Sequence, residues 1–150
     1  MKKLIMATIL LTSFAQAACP DLSGHYALCR SHQNVLIEGT DLEVKKIDVP
    51  NNTFYKFSML ADGNLEREEI TFPANGVTVK DSWESVGIKY ERQMYARCLG
   101  NLVQAHTEIT ANGESYVNET SQYYKQGDDL VRISRGSVGQ LRYTDILTCR

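Results

Sequence analysis

Alternation with a period of two residues runs through most of this chain, and it limits the fold more than any other feature. Tyr55, Phe57 and Met59 alternate with Lys56 and Ser58, and Val77, Val79 and Trp83 with Thr78, Lys80 and Ser82. Ile88, Tyr90, Met94, Ala96 and Cys98 share one parity, opposite Lys89, Glu91, Gln93 and Arg97. The pattern continues with Val103, Ala105, Thr107 and Ile109, with Val131 and Ile133 against Arg132 and Ser134, and with Leu141, Tyr143, Leu147 and Cys149 against Arg142, Thr144 and Thr148. Successive side chains of a strand point to opposite faces, so this pattern marks half-buried strands and leaves no room for a long helix. The one murky stretch is 35–49, where parity changes between Val44 and Ile47 and suggests a bulge or bend.

Turn chemistry separates the runs. Asp62-Gly63-Asn64, Asn75-Gly76, Gly100-Asn101, Asn112-Gly113 and Gly127-Asp128 all fall between strand candidates. Asn-Gly is the strongest short hairpin signal, because a type I′ turn needs positive φ at both central residues. The sequence therefore predicts a mainly β fold, an antiparallel up-and-down meander closed into a β-barrel of about 8–10 strands, since closure removes exposed edges. A two-sheet sandwich is the alternative.

The start of the chain reads as a signal peptide over 1–17. Met1-Lys2-Lys3 is basic, residues 4–11 form an uncharged apolar run, and Ala15-Gln16-Ala17 is a small-residue cleavage site. The run is shorter than the roughly 20 residues that cross a bilayer as a helix, and no later stretch is longer, so no integral membrane segment is expected. Residues 18–150 then form a single domain, exported to the periplasm or secreted. A competing reading makes Cys19 the lipid-bearing cysteine of a lipoprotein, with Gln16 where such sites carry an apolar residue.

Export gives the cysteines a meaning. Cys19, Cys29, Cys98 and Cys149 are even in number, and an oxidising compartment favours two disulfides. Three connectivities exist. Spacing suggests Cys19–Cys29 and Cys98–Cys149, with Asp21-Leu22-Ser23-Gly24 reversing the chain between the first two. There is no C-x-x-C pair and His25, His32 and His106 lie far apart, so no metal is expected. The formal charge of −2 becomes more negative when Lys2 and Lys3 leave with the signal. A mildly acidic domain without a Lys/Arg cluster is a poor nucleic-acid binder.

Two short segments, Leu22-Ser23-Gly24-His25-Tyr26 and the run from Tyr124 to Val131, resemble parts of the lipocalin-like, or calycin, superfamily of small exported barrels. Leu22-Ser23-Gly24-His25-Tyr26 stands where lipocalins carry Gly-x-Trp, with Tyr26 replacing the tryptophan. The segment from Tyr124 to Val131 is similar to a late hairpin in which a Gly-Asp turn precedes an apolar strand. Thr144-Asp145-Ile146 is similar to the family's Thr-Asp-Tyr motif but has no following strands, so it is set aside. The resemblance implies a lipocalin-like barrel, and ligand binding only by analogy.

Parity places three charges among the inward positions: Asp81 with Val79 and Trp83, Arg92 with Tyr90 and Met94, and Asp145 with Tyr143 and Leu147. A buried charge is costly unless paired, so Arg92 is expected to meet Asp81, Asp145 or an anionic ligand. The candidate ligand-binding set is Asp81, Tyr90, Arg92, Tyr143 and Asp145. Beside it stands the plainer reading of a structural ion pair. No catalytic residues are proposed: there is no Gly-x-Ser-x-Gly elbow, His106 and Glu108 share the outer parity, and Glu68-Glu69 and Asp128-Asp129 read as solvated charge. The expectation is a non-enzymatic binding barrel without a cofactor, holding a small apolar or amphipathic ligand in a cavity of roughly 300 Å³ or more. The alternative is an exported inhibitor of a secreted hydrolase, resembling lysozyme or protease inhibitors, with a filled barrel and partner contacts at the 112–115 and 135–140 loops.

Overall fold

The computed structural model describes residues 18–31, 36–37, 40–61 and 64–150. The expected signal at 1–17 lies outside them, as do Asp62-Gly63 of the first turn and part of the 35–49 stretch. The described chain is almost all strand, with no helix, and thus no helix long and apolar enough to cross a membrane.

The strands pair antiparallel into two sheets. One contains β1 (Gly24–Tyr26), β4 (Thr40–Val49), β5 (Asn52–Ala61) and β6 (Asn64–Pro73), in spatial order β1-β4-β5-β6. The other contains β2 (Cys29–Ser31), β3 (Leu36–Ile37), β7 (Val79–Ser85), β8 (Ile88–Leu99), β9 (Leu102–Ala111), β10 (Glu114–Gln126), β11 (Asp129–Val138) and β12 (Leu141–Cys149). Its order is β3-β2-β12-β11-β10-β9-β8-β7, a meander from β7 to β12 with the early strands added at its far edge.

Among the described residues the pairings do not form the single closed barrel expected from the turn spacing. The ladder is interrupted between β6 and β7 and again between β1 and β3. Asn75-Gly76, expected to be a hairpin turn, instead carries the chain from one sheet to the other: Asn75 bridges to Arg97, and Gly76 N donates to Ala96 O at 2.7 Å. Each of β6 and β7 therefore keeps one unpaired edge. Pro73, which has no N–H to donate, suits such an edge.

The turns predicted at Gly100-Asn101, Asn112-Gly113 and Gly127-Asp128 each join two paired strands. Asn112 and Gly113 have φ of 50° and 85°, as a type I′ turn requires. This tip is also pinned to β8, since Asn112 N donates to Lys89 O and Lys89 N to Asn112 Oδ1. The bend expected between Val44 and Ile47 is absent. β4 pairs with β5 without a break from Thr40 to Val49, and the parity change arises because Ile47 faces solvent. The shift in register falls instead in the β5–β6 ladder, between Ser58 and Leu60.

The core lies between the sheets. Val44, Tyr55, Phe57 and Phe72 come from the smaller sheet, and Ala96, Val103, Ala105, Leu130, Leu147 and Cys149 from the larger. In β11 the inward parity belongs to Leu130, Arg132 and Ser134, so Val131 and Ile133 lie on the opposite face.

Residues 18–23 strap the lower end shut. Leu22 is fully buried, Tyr26 Oη donates to its carbonyl at 2.9 Å, and Tyr55 Oη donates to Pro20 O. Burial pushes both phenols above their ordinary pKa. Lys46 Nζ reaches Cys19 O at 2.9 Å and Lys125 Nζ reaches Ser23 O at 2.8 Å, so each sheet holds the strap.

Both disulfides differ from the pairing that spacing suggests. Cys19 bonds Cys98, tying the strap to the lower end of β8, and Cys29 bonds Cys149. The second follows from register, since Cys29 on β2 lies directly opposite Cys149 on β12, with Cα atoms 4.0 Å apart. The strap runs under β8 while β2 joins β12, so the two early cysteines end on different strands.

Candidate functional site: a cleft at the open seam

Above the core, β6 and the inner face of the larger sheet leave a cleft of about 310 Å³. Ile70 and Phe72 of β6 form one side, and Trp83, Met94, Ile109 and Val117 much of the other. Arg92, Glu119, Ser121 and Arg132 supply its polar groups. The inner face is set by register. One row across the strands is Asp81, Arg92, Ile109 and Val117, and the next is Val79, Met94, Thr107, Glu119, Gly136 and Tyr143.

An aromatic wall stands at the β7–β8 side. Trp83 and Tyr90 are cross-strand partners and stack with centroids 5.3 Å apart and planes 11° apart. The β9–β10 ladder shifts register between Ser115 and Val117. This bulge lets Tyr116 meet Tyr90 edge-on at 6.2 Å although Val117 also lines the cleft. The Arg92 guanidinium lies 5.6 Å from the Trp83 ring centre and grips Asp81 through both Nε and Nη2, the first at 2.9 Å. A forked, two-bond contact of this kind fixes orientation as well as charge.

Across the sheet, Glu119 accepts two hydroxyls. Ser121 Oγ donates to Oε1 at 2.6 Å and Tyr143 Oη to Oε2. Ser121 and the fully buried Ser134 are 2.7 Å apart. A hydroxyl has one proton, and that of Ser121 points at Glu119, so Ser134 donates to Ser121. Burial and the bond to Glu119 both push the Tyr143 phenol up, which keeps it a neutral donor. Gly136 lies between the strands of Glu119 and Tyr143, and the lack of a side chain there lets the tyrosine reach across. A Cβ at Gly136 would fall 2.2 Å from Asn118 O and 2.9 Å from Glu119 Cα. Arg132 Nη2 donates to Asp145 at 3.1 Å, and its buried Nε has no protein partner.

All five candidate residues lie on this face, in two groups. Asp81, Tyr90 and Arg92 meet at the aromatic wall, and Arg92 pairs with Asp81. Tyr143 and Asp145, on β12, do not touch that group; they reach the cleft through Glu119 and Arg132. Sequence reasoning missed Glu119, Ser121, Arg132 and Ser134. Counting back from the Gly127-Asp128 turn would have found them, because that turn sets Tyr123 opposite Arg132 and Ser121 opposite Ser134.

No group of three or more His, Cys, Asp or Glu that could hold a metal occurs among the described residues. Comparison with known proteins returned no match: no family model, curated protein or solved structure is similar to this chain.

Proposed function

We propose that this protein is an exported, non-enzymatic binding protein that takes one small amphipathic ligand into the seam cleft. The observation that carries the reading is the cleft itself: about 310 Å³, apolar and aromatic on its walls, with a few oriented polar groups at its floor. That is the lower end of the range for small-ligand pockets, and the composition is typical of them. On this view the two sheets are the walls of a barrel-like single domain over 18–150, closed below by the strap and open at the β6–β7 seam. The two disulfides support an extracellular or periplasmic location, reached by cleavage after Ala17. The bond to Cys98 uses the Cys19 thiol, which argues against a lipid anchor there.

Trp83 is the only tryptophan in the chain, and it lines the cleft while 41% exposed. Its fluorescence therefore reports occupancy. Titration with octanol and octyl glucoside should give a saturable blue shift of Trp83 emission and a rise in the unfolding midpoint. A ligand at 100 times its Kd stabilises by about 2.7 kcal/mol. Emission and midpoint both unmoved by every octyl probe would overturn the reading.

A second reading, an inhibitor of a secreted hydrolase, draws on Leu141, which is 77% exposed beside the exposed Val138 and Tyr116. It requires stoichiometric inhibition of a lysozyme or protease that Leu141→Ser abolishes while the octyl probes still bind.

A further inference from the structure

We infer that the cleft selects a cationic head group and seats it on Glu119. The inference rests on the cleft being a ligand site and adds the charge of what enters it. The inner face carries two arginines, and each is paired with an aspartate, Arg92 with Asp81 and Arg132 with Asp145, although the buried Nε of Arg132 keeps no protein partner. Glu119 is different. Its partners are the hydroxyls of Ser121 and Tyr143, which orient the carboxylate without neutralising it. A carboxylate offers about four lone-pair positions, and these two bonds occupy two, one on each oxygen. Glu119 lines the cleft, so the unfilled positions adjoin the space a ligand would occupy.

Aromatic faces attract cations, and besides Trp83, whose ring already carries the Arg92 guanidinium at 5.6 Å, Phe72 and Tyr123 line the cleft. An anionic head group would lie beside Glu119 in a site partly screened from water, where repulsion between like charges is stronger than in bulk solvent. The class expected is a small amphiphile with an ammonium or quaternary ammonium head and a short apolar tail lying toward Ile70 and Phe72.

The test compares octyltrimethylammonium, octanol and octanoate, matched in tail, by Trp83 fluorescence on the full mature chain. The cation should bind at least about tenfold tighter than octanol, which corresponds to 1.4 kcal/mol, and octanoate weakest. Glu119→Gln should abolish the preference for the cation over octanol. Tyr143→Phe removes one donor but keeps the charge, so the preference should persist. Should Glu119→Gln fail to fold, the wild type still decides: its cation preference must shrink as salt is raised. Equal binding of the three probes, or tighter binding of octanoate, overturns the head-group inference while the cleft reading stands. If no octyl probe binds, both fall.

Discussion

Gly136 shows how much can depend on one missing side chain. It lets β10 and β11 approach closely enough for Tyr143 to reach Glu119 from two strands away. Alanine there would set a methyl against the Asn118 carbonyl oxygen and the Glu119 backbone, at distances no real contact tolerates. The backbone must then shift, and overpacking of this kind costs about 1–3 kcal/mol. Gly136→Ala is expected to lower the urea midpoint and, because Glu119 moves with its strand, to weaken any binding reported by Trp83. An unchanged midpoint would mean that the two strands separate freely at this point. Ser134 makes a related case. Its hydroxyl is fully buried and tolerable only because Ser121 accepts its proton, so the polar floor is a connected set in which each member satisfies the next.

At the scale of elements, the β7–β8 hairpin stands out. Its turn is Val86-Gly87, with φ of 53° and 73°, and Val86 is 97% exposed. A β-branched residue in the left-handed region is disfavoured, and here no burial compensates. Val86→Asn supplies the residue this turn type prefers and is expected to raise stability by about 1 kcal/mol, measured by urea unfolding; a lower midpoint would show that the valine is held by contacts its exposure does not reveal. This turn was also invisible in the sequence, because valine is no turn signal, whereas Gly100-Asn101, Asn112-Gly113 and Gly127-Asp128 announced their hairpins. Strand faces were legible under the same condition. In β8 and β9 apolar and polar residues alternate cleanly and the inward set was evident; Arg92 does meet Asp81, one of the partners expected, but β7 is exposed along its length, so the pair is not the buried charge that parity suggested. In β10 both faces are polar from Asn118 to Gln122, and in β11 Val131, although buried, and Ile133 point to the face opposite the inter-sheet core. Glu119 and Arg132 were hidden for that reason: their strands carry no hydrophobic contrast to set the register, and only pairing with neighbours does.

For the molecule as a whole, long-range ties dominate. The disulfides join positions 79 and 120 residues apart, one across the base and one across the junction of β2 with β12. Bonds that close such long loops stabilise by about 2–4 kcal/mol in typical cases, chiefly by limiting the unfolded chain. Replacing Cys19 and Cys98 together with serine should cost an amount of this order in urea unfolding. It should also raise hydrogen exchange at residues 18–23, where the bonds from Tyr26, Tyr55, Lys46 and Lys125 must then hold the strap without the disulfide. Full protection of that segment in the double variant would show that those bonds suffice. The pairing was not readable from spacing because it depends on which strands become neighbours, and β2 joins β12 only through the topology of the complete sheet.

The position of Cys29 opposite Cys149 also sets an order of events. A chain delivered amino-terminus first presents Cys19 and Cys29 long before either native partner arrives, and nothing then prevents the two from bonding to each other. A Cys19–Cys29 bond made at that stage is non-native, and a chain that made it would need a later thiolate to attack it, an exchange that is slow without a catalyst. Maturation is therefore expected to depend on a disulfide-exchanging enzyme in the compartment where the chain folds, and to finish only once Cys149 has arrived.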